Sequence, residues 1–506
     1  MTSEQIQFFQ AELFRDPSRA LAAAPSVAGC IGGATLLSIF RDFVKTSPTD
    51  EGLLKLAKVL PRIQINSLPV LEQLAMNDET VIREAAVCSM IEMVSSSVPS
   101  VEALAVFHRL VTDSWFSSRV AAAQLLPGIY PSIPANTRST ARKAFLALFD
   151  EDNPMVRRAV GSRLAELLKV VEEPTEFIPA VSIMASDSSQ ESLRLAAVAC
   201  CSALSGHKAL ADPIMATLAK DKSWRVRMVV ARYVEKFPGL LLQSLRDPEP
   251  DVREAAVTAM IHDKGALLHA ASSELGFLVS DVSSGVRGQV ALLIGTLLKT
   301  KEDRALGWFY DLISDEVPQV RINALQAVHE VRLVDGKELA VRLSVQDPNW
   351  RVRLAVVNVL STLAKETTFD ILSAVLNGLS DPVFTVREEA IRQLPPLTRE
   401  LGVAWLTDRL WPKLCDVRLM TALHAVKVCT EFFSDAQIKS AILPLLMKGL
   451  DDGVPIVQVC ACRATSAVLP LLPETSGVSD AVGKLIESSD RDVASSAKQL
   501  FAQLTA

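Results

Sequence analysis

The 506-residue sequence is poor in the residues that mark many other architectures. Its 21 Gly and 26 Pro are too few for a collagen-like or low-complexity chain, and 5% aromatic content weighs against an aromatic-rich β fold. No excess of basic charge is present: 52 Lys and Arg stand against 58 Asp and Glu, a net charge of −6, which argues against a nucleic-acid surface. The eight cysteines (30, 88, 200, 201, 415, 429, 460 and 462) include no Cys-x-x-Cys pair. Buried reduced thiols are therefore expected, in a cytoplasmic or nuclear compartment. Met1 to Arg19 lacks the basic and apolar regions of a secretory signal. Ala20 to Phe40 carries no charge over 21 positions, but Pro25, Ser26, Gly29, Gly32, Gly33 and Thr35 interrupt it. The expectation is a turn followed by a buried segment, Ala34 to Phe43, and no membrane span.

Catalytic signatures are also missing. The six His (108, 207, 262, 269, 329 and 424) are scattered, and His329-Glu330 is a single pair where a di-iron centre on helices would need several. No Walker loop, GxSxG elbow, His-Glu-x-x-His or EF-hand loop occurs, and GCIGGA at 29–34 has the wrong glycine spacing for a dinucleotide fold. The sequence implies no enzyme, no cofactor and no resident metal.

What is present is a repeat. An Asp, a short turn, Val-Arg and an Ala-rich apolar helix recur at Asp78, Asp113, Asp152, Asp187, Asp221, Asp247, Asp281, Asp315, Asp347, Asp381, Asp416 and Asp452, with a degenerate last copy near Asp492. The spacing is mostly 34–36 residues, one helical hairpin per copy, and drops to 26 between Asp221 and Asp247. The clearest copies read DPEPDVREAA at 247, DEVPQVRINA at 315, DPNWRVRLAV at 347 and DPVFTVREEA at 381. After the 347 turn, Val352, Ala355, Val356, Val359, Leu360 and Leu363 form one apolar helix face, preceded by a shorter helix over 338–345. A single hairpin cannot bury such a face. The expected fold is all-α, a right-handed α-solenoid of about fifteen stacked hairpins, clipped at 221–247, where a hinge is expected.

The repeated Asp and Arg read first as structure. Asp221, Asp247, Asp281, Asp315, Asp347 and Asp381 are placed to accept from turn amides and from an Arg of a neighbouring copy, drawn from Arg227, Arg253, Arg287, Arg321, Arg353 and Arg387. A nucleic-acid groove would need those Arg unpaired among exposed aromatics.

The Asp-turn-Val-Arg pattern resembles the HEAT repeat. DSWFSSRVAA (113–122), DEDNPMVRRAVGSRLAELLKVVE (150–172), AKDKSWRVRMVV (219–230), NWRVRLAVV (349–357) and AWLTDRLWPKL (404–414) resemble, in order, the HEAT-repeat scaffolding A subunits of protein phosphatase 2A. The resemblance runs from about residue 50 to the end and weakens at both extremities. The departures are the clipped copy, Phe384 where the family usually has Tyr, Val417-Arg418 directly after Asp416, and Gln458 and Ala494 where a ladder Arg would stand.

The resemblance implies a non-catalytic scaffold across 1–506. Its turns over 1–330 would hold a variable regulatory B-type subunit and those over 331–506 the phosphatase catalytic subunit. Carried over singly, Trp350, Arg351, Phe384 and Val454 would meet the catalytic subunit, and Trp115, Pro154, Arg157, Arg158, Trp224 and Arg225 the regulatory one. A Trp opening a helix after a turn is expected to be exposed, and Trp and Arg are typical interface anchors. A second class also fits the repeat: a transport or trafficking adaptor taking a peptide or small GTPase on its concave face. Trp and Arg clustered on the turns favour the scaffold, whereas an acidic inner helix face favours the adaptor.

Overall fold

The computed structural model describes residues 3–46, 49–63, 67–96, 100–263, 267–299, 304–328, 341, 345–364, 371–414, 419–472 and 477–505. These are helices joined by short turns, with no strand among the described residues. The chain is an all-α solenoid that divides into two compact units, 1–244 and 245–506. In each, the second helices of successive hairpins pack side by side, as 154–167 does on 116–129 and 191–203, and 384–401 on 350–363 and 419–429.

The apolar period becomes burial as expected. On the helix Trp350–Leu363, Val352, Val356, Leu360 and Leu363 are buried, with Ala355 and Val359 half-buried beside them. The shorter helix anticipated over 338–345 falls largely outside the described residues, as do His329-Glu330 and the Asp416-Val417-Arg418 turn. Close packing leaves no room for a side chain at some glycines. A Cβ at Gly449 would stand 2.8 Å from Leu423 Cδ1 and 2.9 Å from the Ala461 Cβ, so neighbouring helices approach there at backbone distance.

The uncharged N-terminal stretch folds into two helices, Pro17–Ile31 and Gly33–Lys45. The break comes from one residue, Gly32, at φ 83°, a conformation that glycine reaches without a Cβ clash. Pro25 lies inside the first helix and Gly29 also sits within it, so neither interrupts the chain as the composition suggested. Leu36, Ile39, Phe40 and Phe43 are buried on the second helix, and no helix among the described residues is long and apolar enough to cross a membrane.

The copy that follows Asp221 is short in both its members. Its second helix spans Trp224–Ala231, 8 residues against 14 for Trp350–Leu363, and the next first helix, Leu241–Leu245, has 5. The boundary between the two compact units falls inside that five-residue helix.

Cysteine burial departs from expectation at two positions. Cys200, Cys201, Cys429, Cys460 and Cys462 are buried, but Cys30 and Cys88 are exposed. Burial raises the Cys201 and Cys429 thiols to about 12 and Cys462 to about 11, so their reactive thiolates are scarce at neutral pH. Cys30 sits near the end of the helix Pro17–Ile31, and Cys88 is on the solvent side of the helix Thr80–Ser96. A thiol-specific reagent should label Cys30 and Cys88 within minutes in the native protein while these five buried thiols stay unlabelled until denaturant is added. Peptide mass mapping of a labelling time course reads this directly.

Candidate protein-docking ridge

The turns of successive hairpins are tied by a repeating two-part bond. Within a copy, the first Asp accepts at Oδ1 from the amide two residues on: Ser283 to Asp281, Val317 to Asp315, Asn349 to Asp347 and Val383 to Asp381, each at 2.8 Å. The Arg six residues on donates from Nη1 to the backbone carbonyl of the same Asp. In five copies the Arg Nε and Nη2 then fork onto the Asp carboxylate of the next. Arg194 reaches Asp221, Arg253 Asp281, Arg287 Asp315, Arg321 Asp347 and Arg353 Asp381, with Nε to Oδ2 at 2.6–2.7 Å and Nη2 to Oδ1 at 2.7–3.1 Å. All three nitrogens of each of these Arg are thus engaged, so none is available to a phosphate backbone.

The structure moves three of the repeat anchors. Arg83 donates to the carbonyl of Asn77 rather than Asp78, Arg157 to that of Glu151 rather than Asp152, and in the last copy Asp490, not Asp492, accepts the turn amides of Asp492 and Val493. The residue six beyond Asp490 is Ser496, so Ser496 rather than Ala494 is the counterpart of the missing Arg. Sequence spacing alone could not separate adjacent acidic residues such as Glu151 and Asp152; hydrogen bonding does.

The N-terminal rungs are correspondingly irregular. Arg119 approaches Glu151 at 3.2 Å from Nε, without the fork that an Asp allows. Asp187 sits in a turn one residue longer and spends Oδ1 on Ser189 and Gln190. The Ser189 hydroxyl, with those amides and the charge of Arg157, holds Asp187 below the usual carboxylate range despite some burial. A separate network braces this part of the chain: the buried Tyr130 donates to Glu172 at 2.9 Å and accepts from Arg142 at 2.8 Å, while Arg142 also pairs with Glu176 and Arg138 with Glu172.

The anticipated docking residues lie on these turns. Trp115 is the N-cap of the helix Phe116–Ile129 and is 43% exposed, with the Arg83 guanidinium stacked 3.6 Å from its ring centroid. Trp224 and Trp350 open their helices but are half-buried rather than exposed, each flanked by an exposed Arg over the ring: Arg225 at 5.3 Å and Arg351 at 5.4 Å. Phe384 opens its helix in the same way and is 52% exposed, so helix position alone does not set the exposure. Pro154 and Arg158 are exposed on the first turn of Pro154–Leu167, while Arg157 is half-buried and committed to the Glu151 carbonyl, which makes it a rung residue. Phe384 is 52% and Val454 51% exposed.

In the unit 1–244, the Arg119–Glu151 contact ties the turn of Trp115 to that of Pro154, and the Arg194–Asp221 fork ties the Glu191 turn to that of Trp224, where Arg225 Nη1 also stands 3.9 Å from Glu191. In the unit 245–506, the rungs from Arg253 to Asp381 set Trp350 and Phe384 on adjacent turns. Val454 lies two copies beyond Phe384, past the undescribed Asp416 turn. The sequence reading missed Phe116, Met155, Val282 and Ile456, all exposed apolar residues on the same turns, Val282 at 92%. Their signal was positional: each falls one to four residues after a rung acid, where side chains point outward.

A family model described as HEAT repeats matches residues 308–395. The chain is 35% identical over 141 residues to the "Serine/threonine-protein phosphatase PP2A 65 kDa regulatory subunit" of Drosophila melanogaster, 26% of this chain and 24% of that protein. It is 40% identical over 108 residues to the beta isoform of the 65 kDa regulatory A subunit of serine/threonine-protein phosphatase 2A from Homo sapiens, 21% of this chain and 18% of that one. The chain thus spans about a quarter or less of the length of these curated relatives. A crystal structure of importin beta superposes with a TM-score of 0.55 at 12% identity, over 99% of this chain and 76% of that one, a likeness of fold alone. The chain carries HEAT repeats over residues 308–395, and its resemblance to the 65 kDa regulatory A subunits is borne out over the matched stretches.

Two predictions concern the rungs. Asp381 is buried, which raises its pKa, but the fork from Arg353 and the Val383 amide outweigh burial and hold the carboxyl below the usual range. The unfolded chain therefore binds that proton more readily, so the rung's contribution is complete above about pH 4 and lost as pH falls through the lower folded value. Asp381→Ala should cost about 2–4 kcal/mol of unfolding free energy near neutrality, because it strands the largely covered Arg353 guanidinium, and should flatten the acid limb of stability. Urea titrations from pH 7 to pH 3 test both. Conversely, Gln458→Arg should supply the missing fork to Asp490 and slow amide exchange in Val478–Leu485 and Arg491–Thr505 by about tenfold, the equivalent of about 1.4 kcal/mol.

Proposed function

We propose that this chain is the non-catalytic scaffold of a heterotrimeric serine/threonine protein phosphatase 2A. In this reading the turns of residues 331–506 hold the catalytic subunit, and the turns of residues 1–330 hold a variable regulatory B-type subunit. The observation that carries it is the row of Trp, Arg and exposed apolar side chains on rung-fixed turns, on a chain whose matched relatives are named as regulatory subunits of that phosphatase. Aromatic and Arg side chains held by a rigid backbone lose little entropy when a partner covers them. In this reading the phosphoester chemistry belongs to the catalytic subunit that the scaffold holds. A cytoplasmic or nuclear location belongs to the same reading.

The adaptor reading requires an acidic inner helix face. Where such a row would run along the second helices of the C-terminal copies, Arg392, Lys427 and Arg463 stand at matching positions.

The test uses the full chain with purified phosphatase catalytic and B-type subunits in titrations followed by anisotropy. Trp350→Ala should weaken catalytic-subunit binding by about thirtyfold, the loss of a hot-spot residue, and leave B-type binding within about twofold. Trp224→Ala should do the reverse. Absence of binding by the unmodified chain to either partner at low salt would overturn the reading.

A further inference from the structure

We infer that the side-by-side second helices of the last three hairpins form a binding cleft for an extended acidic peptide segment of a partner protein. This inference does not depend on the phosphatase reading, since the cleft lies on helix faces and not on the turns. The helices are Leu419–Cys429, Pro455–Val468 and Arg491–Thr505, and the cleft between them holds about 610 Å³.

Its lining is a set of donors around an apolar floor. Lys427 projects from the first helix and Arg463 from the second, both exposed, and neither is within 4.0 Å of a carboxylate oxygen among the described residues. Their position in the repeat is the same, eleven residues after Asp416 and Asp452, so one repeat step separates two cations along a single line. The copy before it bears Arg392 at that place, but Glu388 at 2.8 Å and Glu389 at 3.1 Å neutralise it. The unneutralised pair is therefore confined to the cleft, in a chain that is acidic overall.

The third helix adds Ser495, Ser496, Gln499 and Gln503, hydroxyl and amide groups suited to a peptide backbone; Ser466 already bonds Gln503 across the cleft at 2.5 Å. One carboxylate, Asp492, stands at the rim. At the floor Cys460 Sγ lies 3.2 Å from His424 Nε2, and burial together with the charges of Lys427 and Arg463 lowers the His424 pKa, a sign that both cations act on the cleft interior. Two cations a repeat apart with amides on the next helix fit a strand whose acidic side chains recur at similar spacing. A lone anion would use one cation only.

The probe is a fluorescein-labelled octaglutamate peptide titrated with the full chain at about 50 mM salt, where screening is weak. Binding should be saturable, and Lys427→Glu with Arg463→Glu should weaken it at least about tenfold. Lys169→Glu with Lys208→Glu, which changes net charge equally but lies in the other unit, should weaken it less than about twofold. Unfolding curves of both double variants should match the parent, since all four side chains are exposed; the neutral pair Lys427→Gln and Arg463→Gln, weakening binding by a smaller factor, covers any loss of folding. Equal loss in the two charge reversals would reduce the effect to bulk electrostatics and overturn the proposal. So would absence of binding, or displacement of the peptide by inorganic phosphate at matched ionic strength, which would mark a simple anion site.

Discussion

The regular part of the ridge depends on one arrangement, the Arg that serves two turns at once. Its Nη1 closes the turn of its own copy, and its Nε and Nη2 hold the carboxylate that closes the next. Hydrophobic stacking between hairpins is roughly proportional to area and tolerates sliding, because it has no direction. The fork has direction. A planar guanidinium meeting a planar carboxylate leaves little freedom in repeat-to-repeat rotation, so the rungs convert a pile of amphipathic hairpins into a ruled surface on which side chains recur at fixed intervals.

That division of labour explains how much was legible from sequence. The hairpin period, the apolar helix faces and the pairing of Asp281, Asp315, Asp347 and Asp381 with an Arg of a neighbouring copy could be read directly, because each copy supplies the same residues at the same offset; that the partner is the Arg of the preceding copy comes from the structure. Where two turn-forming residues adjoin, as at Glu151-Asp152 or Asn77-Asp78, the offset is ambiguous by one and only the amide and carbonyl bonds decide it. The exposure of the tryptophans was misread for a related reason. Position in a helix fixes where a side chain begins, whereas its solvent contact depends on what packs beside it, and Trp224 and Trp350 are half-covered. Gly32 shows the opposite case: several candidate breakers were visible in the uncharged stretch, and the one that breaks it is the one with positive φ.

Irregular rungs have a structural counterpart. Glu151 in place of Asp lengthens the reach by one methylene and loses the fork, and in that same stretch the Tyr130, Arg142, Glu172 and Glu176 network supplies cross-copy bonds of another kind. Burying the Tyr130 hydroxyl and the Arg142 guanidinium is favourable only when both are satisfied; here the hydroxyl both donates and accepts. The orientation that the ladder enforces elsewhere is held in this stretch by a second polar device. At the C-terminal end Gln458 and Ser496 stand where the ladder would place Arg.

The absence of a rung there bears on what the last copies can do. Without a fork, the hairpins from 443 onward are held chiefly by apolar contacts such as Leu446, Leu450, Val482 and Leu485. Such contacts permit small rotations of one hairpin on the next, and the cleft bordered by Lys427, Arg463 and Gln499 lies across those same helices. A ligand that bridges the cations would therefore also restrain the rotation that the missing rungs leave open. Binding and local order would be linked at this end of the chain, in contrast to the turns around Trp350, where four successive forks fix the surface before any partner arrives.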